Sequence, residues 1–403
     1  MCNLNVARSV ALACTLLFAR ESAALWDDRL ELFVGEMATW DSNVFRISKD
    51  ANVLQSTGST EKSDTYATTT FGFNLDVPIS RQRLRASLAW IDNRYRRFTD
   101  LDFTGHDAKA SWLWEAGDRA KGEVGFQEVY TLASFATVQS RVPDPLKTRR
   151  AYGQASYLVT PRWRVDGDIS ELTQRNGDVT RNANDVDVRN ANLGLSYVSP
   201  AGNSIGVVAR NEKGSYPNPE VVAGRVFDNS YSQDGVGMTT DWTITGKSRV
   251  NARVDYVRRR FDQLSARDFQ GTLFRVLYDW KPTAKLTLDT IVQRDISAVE
   301  EQRTSFVLIK GVSFRPRYEL TEKTSLSGTF EYSIRDYLGD PAEELGALPT
   351  RSDHVRSALI ELSYKPYRRV ALTLSVLREV RTSNIPLTDY AVTMVQGGAR
   401  IGF

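Results

Sequence analysis

Eight short turn signals punctuate this chain of 403 residues at intervals of about 40 residues, and nine longer polar stretches alternate with them. The turns stand at Val77–Ser80, Ala116–Arg119, Thr160–Arg162, Ser199–Asn203, Thr245–Ser248, Lys281–Thr283, Leu320–Lys323 and Lys365–Tyr367. They are rich in the Gly, Pro, Asn and Asp residues that tight turns need. The long stretches run over roughly 41–64, 96–103, 134–147, 174–186, 211–230, 260–268, 297–303, 337–352 and 382–388. Seventeen alternating connections require eighteen strands, with the first and last strand both meeting the short-turn side.

Around each turn lie about ten to fourteen residues of period-two alternation, the signature of strands. Phe71, Phe73, Leu75 and Val77 share one face before the first turn, and Leu84, Ala86, Leu88 and Trp90 follow it. Phe274, Val276, Tyr278 and Trp280 repeat the pattern, as do Leu326, Phe330, Tyr332 and Ile334, then Ala358, Ile360, Leu362 and Tyr364. The opposite face carries Arg83, Arg85, Arg253, Asp255, Arg275, Asp279, Asp289, Gln293 and Glu361. A soluble sandwich would bury the apolar face against a second sheet, whereas a membrane barrel turns it to lipid and its polar face to a wet lumen. Soluble strands average about five or six residues, and a tilted strand that crosses a bilayer needs about nine to eleven. The runs here fit the longer class. The sequence therefore predicts an all-β fold: a single transmembrane antiparallel β-barrel of about eighteen strands over 25–403, with short periplasmic turns and long extracellular loops.

Residues 1–24 read as a signal peptide. Arg8 supplies the positive start, Val10–Phe18 an apolar stretch too short to span a bilayer, and Ser22-Ala23-Ala24 small residues for cleavage before Leu25. A lipoprotein site at Ala11-Leu12-Ala13-Cys14 is the rival reading, disfavoured because cutting there would split the apolar stretch. Cys2 and Cys14 are the only cysteines, so the exported chain would hold no disulfide, thiol nucleophile or Cys-ligated metal. His106 and His354 have no carboxylate or second His beside them in sequence and read as polar loop or strand-end residues. After residue 20 no run of about twenty apolar residues occurs, and the mean hydropathy of -0.36 argues against a helical membrane bundle. A net charge of +3 is too near balance to argue for a nucleic-acid partner.

Aromatic residues gather near strand ends: Trp90 and Tyr95, Trp112 and Trp114, Trp163, Trp242, Trp280, Tyr364 and Tyr367. Amphipathic rings favour the headgroup level, which predicts two girdles. The last residues, Gly398-Ala399-Arg400-Ile401-Gly402-Phe403, resemble the signal by which bacterial outer-membrane barrels are recognised for insertion, with Gly398, Ile401 and Phe403 carrying it. Gly397 departs from that pattern, which prefers a polar residue there.

Near the start of the exported chain stand Leu32-Phe33-Val34-Gly35 and Asp41-Ser42-Asn43-Val44-Phe45-Arg46-Ile47-Ser48. This resembles the opening of the EpsL group, outer-membrane proteins of exopolysaccharide operons within a wider β-barrel porin class. The resemblance rests on about eight residues at the place where that group has them, and the barrel pattern extends it loosely over the chain. It implies that the barrel lets an extracellular polysaccharide leave the cell beside a separate export machine. The implied partners are then outer-membrane lipid, the barrel-insertion machinery, the polysaccharide and its export machinery. It identifies no catalytic residue. The plain alternative for the motif is a loop with an Asx-turn at Asp41 or Asn43.

Motifs for chemistry are weak. Gly246-Lys247-Ser248 mimics the end of a phosphate-binding loop, but Asp241 replaces the required Gly and the segment joins two strands. No G-x-S-x-G elbow occurs. Asp166/Asp168 and Asp185/Asp187 would suit a glycosidase or Ca²⁺, and solvated charges are the favoured reading of both. The sequence thus predicts no enzyme, cofactor or metal site. The lumen candidates are Arg83, Arg85, Arg253, Asp255, Arg275, Asp279 and Glu361; either they face a passing solute or each satisfies a neighbouring group. The loops 211–230 and 337–352, with Pro217, Pro219 and Pro341, are candidates to fold inward. Three functions follow in order: an exopolysaccharide export pore, a general or sugar-specific uptake porin, and an exported soluble glycan-binding β-propeller.

Overall fold

The computed structural model describes residues 29–139, 141–222, 225–263, 267–297, 306–338 and 350–403. The signal peptide read at 1–24 and most of the loop read at 337–352, Pro341 included, lie outside these residues.

Alternation becomes strand at each place where it was read. In chain order the strands are β1 (Leu30–Asp41), β2 (Asp64–Ile79), β3 (Gln82–Tyr95), β4 (Phe103–Ala116), β5 (Ala120–Leu132), β6 (Pro145–Thr160), β7 (Trp163–Asn176), β8 (Val186–Val198) and β9 (Ser204–Ser215). A short hairpin, β10 (Glu220–Val222) and β11 (Arg225–Phe227), stands apart. Then come β12 (Tyr231–Thr245), β13 (Ser248–Phe261), β14 (Phe269–Trp280), β15 (Leu286–Ser297), β16 (Phe306–Glu319), β17 (Thr324–Leu338), β18 (Arg351–Tyr367), β19 (Val370–Ser383) and β20 (Tyr390–Gly402). Eighteen of them form one antiparallel ring in chain order, closed by β1 against β20. This excludes a propeller, which would need separate four-stranded blades. No helix among the described residues is long and apolar enough to cross a membrane.

At about 4.8 Å per strand and a tilt of about 40°, eighteen strands give a circumference of about 110 Å, too wide for side chains alone to fill. One face of the ring is apolar and bare. Phe71 stacks on Trp90 at 5.1 Å on that face, and Ile169, Leu193, Val236 and Met238 are all more than half exposed. Trp112, Trp163, Trp242, Trp280 and Tyr364 lie near the short-turn ends of their strands, and Trp40, Trp90, Tyr256 and Tyr332 near the opposite ends. Between the two sets run about eight residues, or about 20 Å of height at that tilt, which suits an outer-membrane apolar band. Tyr95 does not join the outer girdle. It has the parity of the polar face and packs on Tyr66 at 4.7 Å, because it sits an odd number of residues from Trp90.

The seam sets a steric demand. Gly398 faces inward opposite Met37, and a Cβ there would collide with the Glu36 carbonyl and approach Met37 Sδ to 2.9 Å. The Phe403 N–H donates to the Leu32 carbonyl at 2.8 Å just beyond. Gly397, one residue earlier, meets only Leu374 at 3.8 Å. Gly398→Val is expected to abolish the fast-migrating unboiled band on a gel, the mark of a closed barrel, whereas Gly397→Ser is expected to retain it.

Candidate functional site

The inward face is identified by contacts that cut across the ring. The loop after β5 forms one helical turn over Phe135–Val138, capped by the Ser134 side chain, which accepts from the Ala136 N–H at 3.2 Å. From there the Ala136 carbonyl accepts from Arg381 Nη1 of β19 at 2.7 Å. Gln139 Nε2 donates to the Arg46 carbonyl at 2.7 Å and to the Thr388 carbonyl at 3.3 Å. Strands β5 and β19 are six places apart round the ring, so this loop spans the mouth as a chord. The side of β19 that bears Arg381 is therefore the lumen side.

The Asp41–Ser48 motif builds the other half of this strap. Asp41 Oδ1 accepts from the Asn43 N–H at 2.7 Å, an Asx-turn. Asn43 accepts from the Ile47 N–H at 3.0 Å and donates to the carbonyls of Ile47 and Ala391 at 2.9 and 3.1 Å. Arg46, at a positive φ of 55°, reaches back to Asp41 at 2.8 Å. The turn delivers Phe45 into an apolar cluster with Val44, Ile47, Phe98 and Leu101, all nearly or fully buried. Phe45 meets Phe98 at 4.7 Å and Phe135 at 5.3 Å, both edge-on. Three loops, after β1, β3 and β5, thus share one small core at the mouth. Arg141 ties it further by bonding Asp100 through two nitrogens, and that guanidinium holds the Asp100 carboxyl below its usual range.

A second narrowing comes from the wall itself. Strands β14 and β15 stay in register only from Phe274 to Trp280 and part above it. Leu308 has the parity of the lipid-facing Val312 and Phe314, yet it packs with Val257 and Leu273, which have lumen parity. The upper β15–β16 end therefore leans inside β13 and β14. Phe306 continues the contact with Tyr231 and Phe261. The loop after β9, one of the two expected inward folders, begins only beyond Ser215 and carries the β10–β11 hairpin. Among the described residues the loops that reach across the mouth are those after β1 and β5, which alternation could not reveal.

Below the mouth the wall is a network of mixed charge. Arg83 and Arg85 both turn to Asp76, Arg83 through two nitrogens and Arg85 at 3.5 Å. Arg253 bonds Asp295 at 2.7 Å and approaches Asp255 at 3.2 Å. Arg210 of β9 reaches over β12 to the same Asp255 at 2.8 Å. It can do so because Gly237 lies between them, and a Cβ there would collide with Asp255 Oδ1. Arg275 donates to Gln293 at 2.7 Å. Asp279 lies in register with Asp289, and Glu361 between Ser327 and Ser375. Asp168 accepts from Asn192 at 2.7 Å and Asp166 pairs with Arg164 at 2.8 Å. Asp187 pairs with Arg175 at 2.8 Å on the outer face, and Asp185 accepts from the Asn176 N–H at 2.8 Å, so the two carboxylates go to different partners. Among the described residues no group of three or more His, Cys, Asp or Glu could hold a metal ion. A recess of about 670 Å³ opens in the wall, lined by Arg83, Arg85, Lys121, Glu123, Asp166 and Asp168. The histidines stand outside the lumen: His106 meets Glu128 at 2.9 Å, and His354 meets Tyr332 at 2.8 Å.

Comparison with known proteins places this barrel. Residues 223–403 match the family model "Putative beta-barrel porin 2", which covers less than half of the chain. No curated protein matches the sequence. The fold is similar to that of Pseudomonas aeruginosa OpdK with vanillate, at 8% identity, TM-score 0.51, and coverage of 93% of this chain and 99% of that one. It is also similar to Pseudomonas aeruginosa OccK2 (OpdF) in complex with glucuronate, at 9% identity, TM-score 0.50, and coverage of 93% and 98%. The fold is that of an outer-membrane porin.

Asp255 is 3% exposed and holds two arginines, Arg210 of β9 and Arg253 of its own strand. Asp255→Ala is expected to lower unfolding stability in urea by about 1 kcal/mol, since the part-exposed Arg210 loses its carboxylate while Arg253 keeps Asp295. Asp255→Asn, which keeps the acceptor oxygen, is expected to cost less.

Proposed function

We propose that this protein is an outer-membrane uptake channel for small hydrated polar solutes, sugars and sugar acids among them. The observation that carries this reading is the strap across the mouth, from Phe45 and Gln139 to Arg381. A polymer conduit needs a continuous wide passage, whereas a mouth crossed by pinned loops admits small solutes one at a time. The mixed-charge wall fits the same class, because Arg, Asp and Glu in fixed pairs offer many donors and acceptors to a hydroxyl-rich solute without a strong field of one sign. The carboxylate ligands named for OpdK and OccK2, vanillate and glucuronate, suggest the first solutes to try. The leader read at 1–24 would deliver the chain to the envelope.

Export of an exopolysaccharide, which the motif resemblance implies, is the reading this favours less. The Asp41–Ser48 residues that carry the resemblance are the ones that help close the mouth.

Swelling of liposomes that contain the protein tests the choice. Glucose and glucuronate are expected to enter readily, and long oligosaccharides to be excluded; equal entry of both sizes would favour export. Arg381→Ala removes the donors to Ala136 and Thr388. It is expected to raise the unitary conductance in planar bilayers and the size limit in swelling. Acidification acts in the same direction: the Asp100 carboxyl, held low by Arg141, keeps its tie at neutral pH and loses it as pH falls through its lowered range.

A further inference from the structure

Above the outer aromatic girdle the outward face carries a belt of charged residues, most of them matched within the belt. Arg94 pairs with Asp92 at 2.8 Å, and Arg149 and Lys147 both meet Glu128. Arg175 pairs with Asp187 at 2.8 Å, Arg189 with Glu171 at 2.9 Å, and Lys310 with Asp336 at 2.8 Å. Arg294, Arg356 and Arg378 stand singly, on the Thr272 carbonyl, the Tyr332 ring and the Thr393 hydroxyl.

One arc differs. Lys213 of β9 and Arg258 and Arg260 of β13 are exposed and have no ion-pair partner among the described residues. Register places them together. Arg189, Lys213, Ser232 and Arg260 form one rung across β8, β9, β12 and β13. Asn211, Asp234 and Arg258 form the rung below, and there Asp234 accepts from Asn211 at 2.8 Å. Rungs on one face lie about 6.7 Å apart and neighbouring strands about 4.8 Å, so the three long cationic side chains can converge on one anionic group. Directly beneath lie Tyr256, Val236, Met238 and Val207, all more than half exposed.

We propose that this arc binds the phosphorylated headgroup of a lipid in the outer leaflet, whose acyl chains lie along the apolar ladder beneath. Charge complementarity selects the anion, since Lys213, Arg258 and Arg260 outnumber Asp234, whose carboxylate is taken by Asn211, at the level where headgroups begin. The ladder selects a lipid over a soluble phosphate, because only a lipid covers both surfaces at once. The proposal rests on the membrane-spanning reading of the barrel and is independent of what passes through the lumen.

Native mass spectrometry of the refolded full chain in detergent, titrated with bis-phosphorylated lipid A, tests it. The protein is expected to retain this lipid and to lose affinity by about a hundredfold in Lys213→Gln/Arg258→Gln/Arg260→Gln, at about a factor of five per cation. The matched-belt variant Arg94→Gln/Lys310→Gln is expected to bind as the parent does. Equal retention by the triple variant, or an equal loss in the matched-belt variant, would overturn the site. Displacement of the lipid by millimolar inorganic phosphate would overturn the lipid and leave a plain anion site. If the triple variant fails to give the fast-migrating unboiled band, the parent chain titrated with dephosphorylated lipid A decides, and equal binding of that lipid refutes the proposal.

Discussion

Every backbone N–H and C=O in the hydrocarbon zone must find a partner within the protein, because lipid offers none. For a chain of strands the only full solution is a closed ring, and here closure depends on β1 meeting β20 along nine register pairs from Phe33↔Gly402 to Asp41↔Met394. The two strands are the first and last of the ring in chain order, so no turn holds them together. The close approach that Gly398 permits is what allows the seam to form. Once the ring exists, period two settles the rest: one face is apolar and meets lipid, and the other encloses water.

Water inside changes what holds the wall together. The densest apolar packing sits at the mouth, where Phe45, Phe98 and Leu101 are nine-tenths or more buried, and not at the centre. Within the wall, charges are joined sideways, sometimes over an intervening strand, as Arg210 and Arg253 are through Asp255. Such links act as struts that keep the lumen wall rigid while leaving polar groups for a solute. On the outer face the same logic yields a largely matched belt, in which Arg294, Arg356 and Arg378 stand singly and only the arc at Lys213, Arg258 and Arg260 gathers unpaired cations among the described residues.

Much of this was legible in the sequence because a barrel wall is periodic. The alternating turns and loops gave eighteen strands, and the parity of Phe274, Val276 and Tyr278 separated the apolar face from Arg275 and Asp279. Tyr95 falls outside the girdle, since nearness to Trp90 in sequence says nothing of face, which parity decides. Loop structure was opaque for a related reason. The strap depends on contacts such as Arg381 with Ala136, 245 residues apart, which leave no local pattern. The Asp41–Ser48 segment stands out as a motif and its Asx-turn is readable from Asp41 and Asn43, but its burial against Phe98 and Phe135 is not. The β15–β16 lean was hidden as well, because Leu308 keeps the parity of the lipid face while packing inward.

The central claim is that odd and even positions of one strand see different media. Strand β3 is suited to a test, since cysteines occur only at positions 2 and 14 and replacing both with serine leaves no reagent background. Single substitutions Arg83→Cys, Leu84→Cys, Arg85→Cys, Ala86→Cys, Ser87→Cys and Leu88→Cys would be probed in liposomes with a membrane-impermeant charged thiol reagent. The account predicts fast labelling at 83, 85 and 87 and protection at 84, 86 and 88. Labelling without alternation, or with the opposite parity, would contradict it.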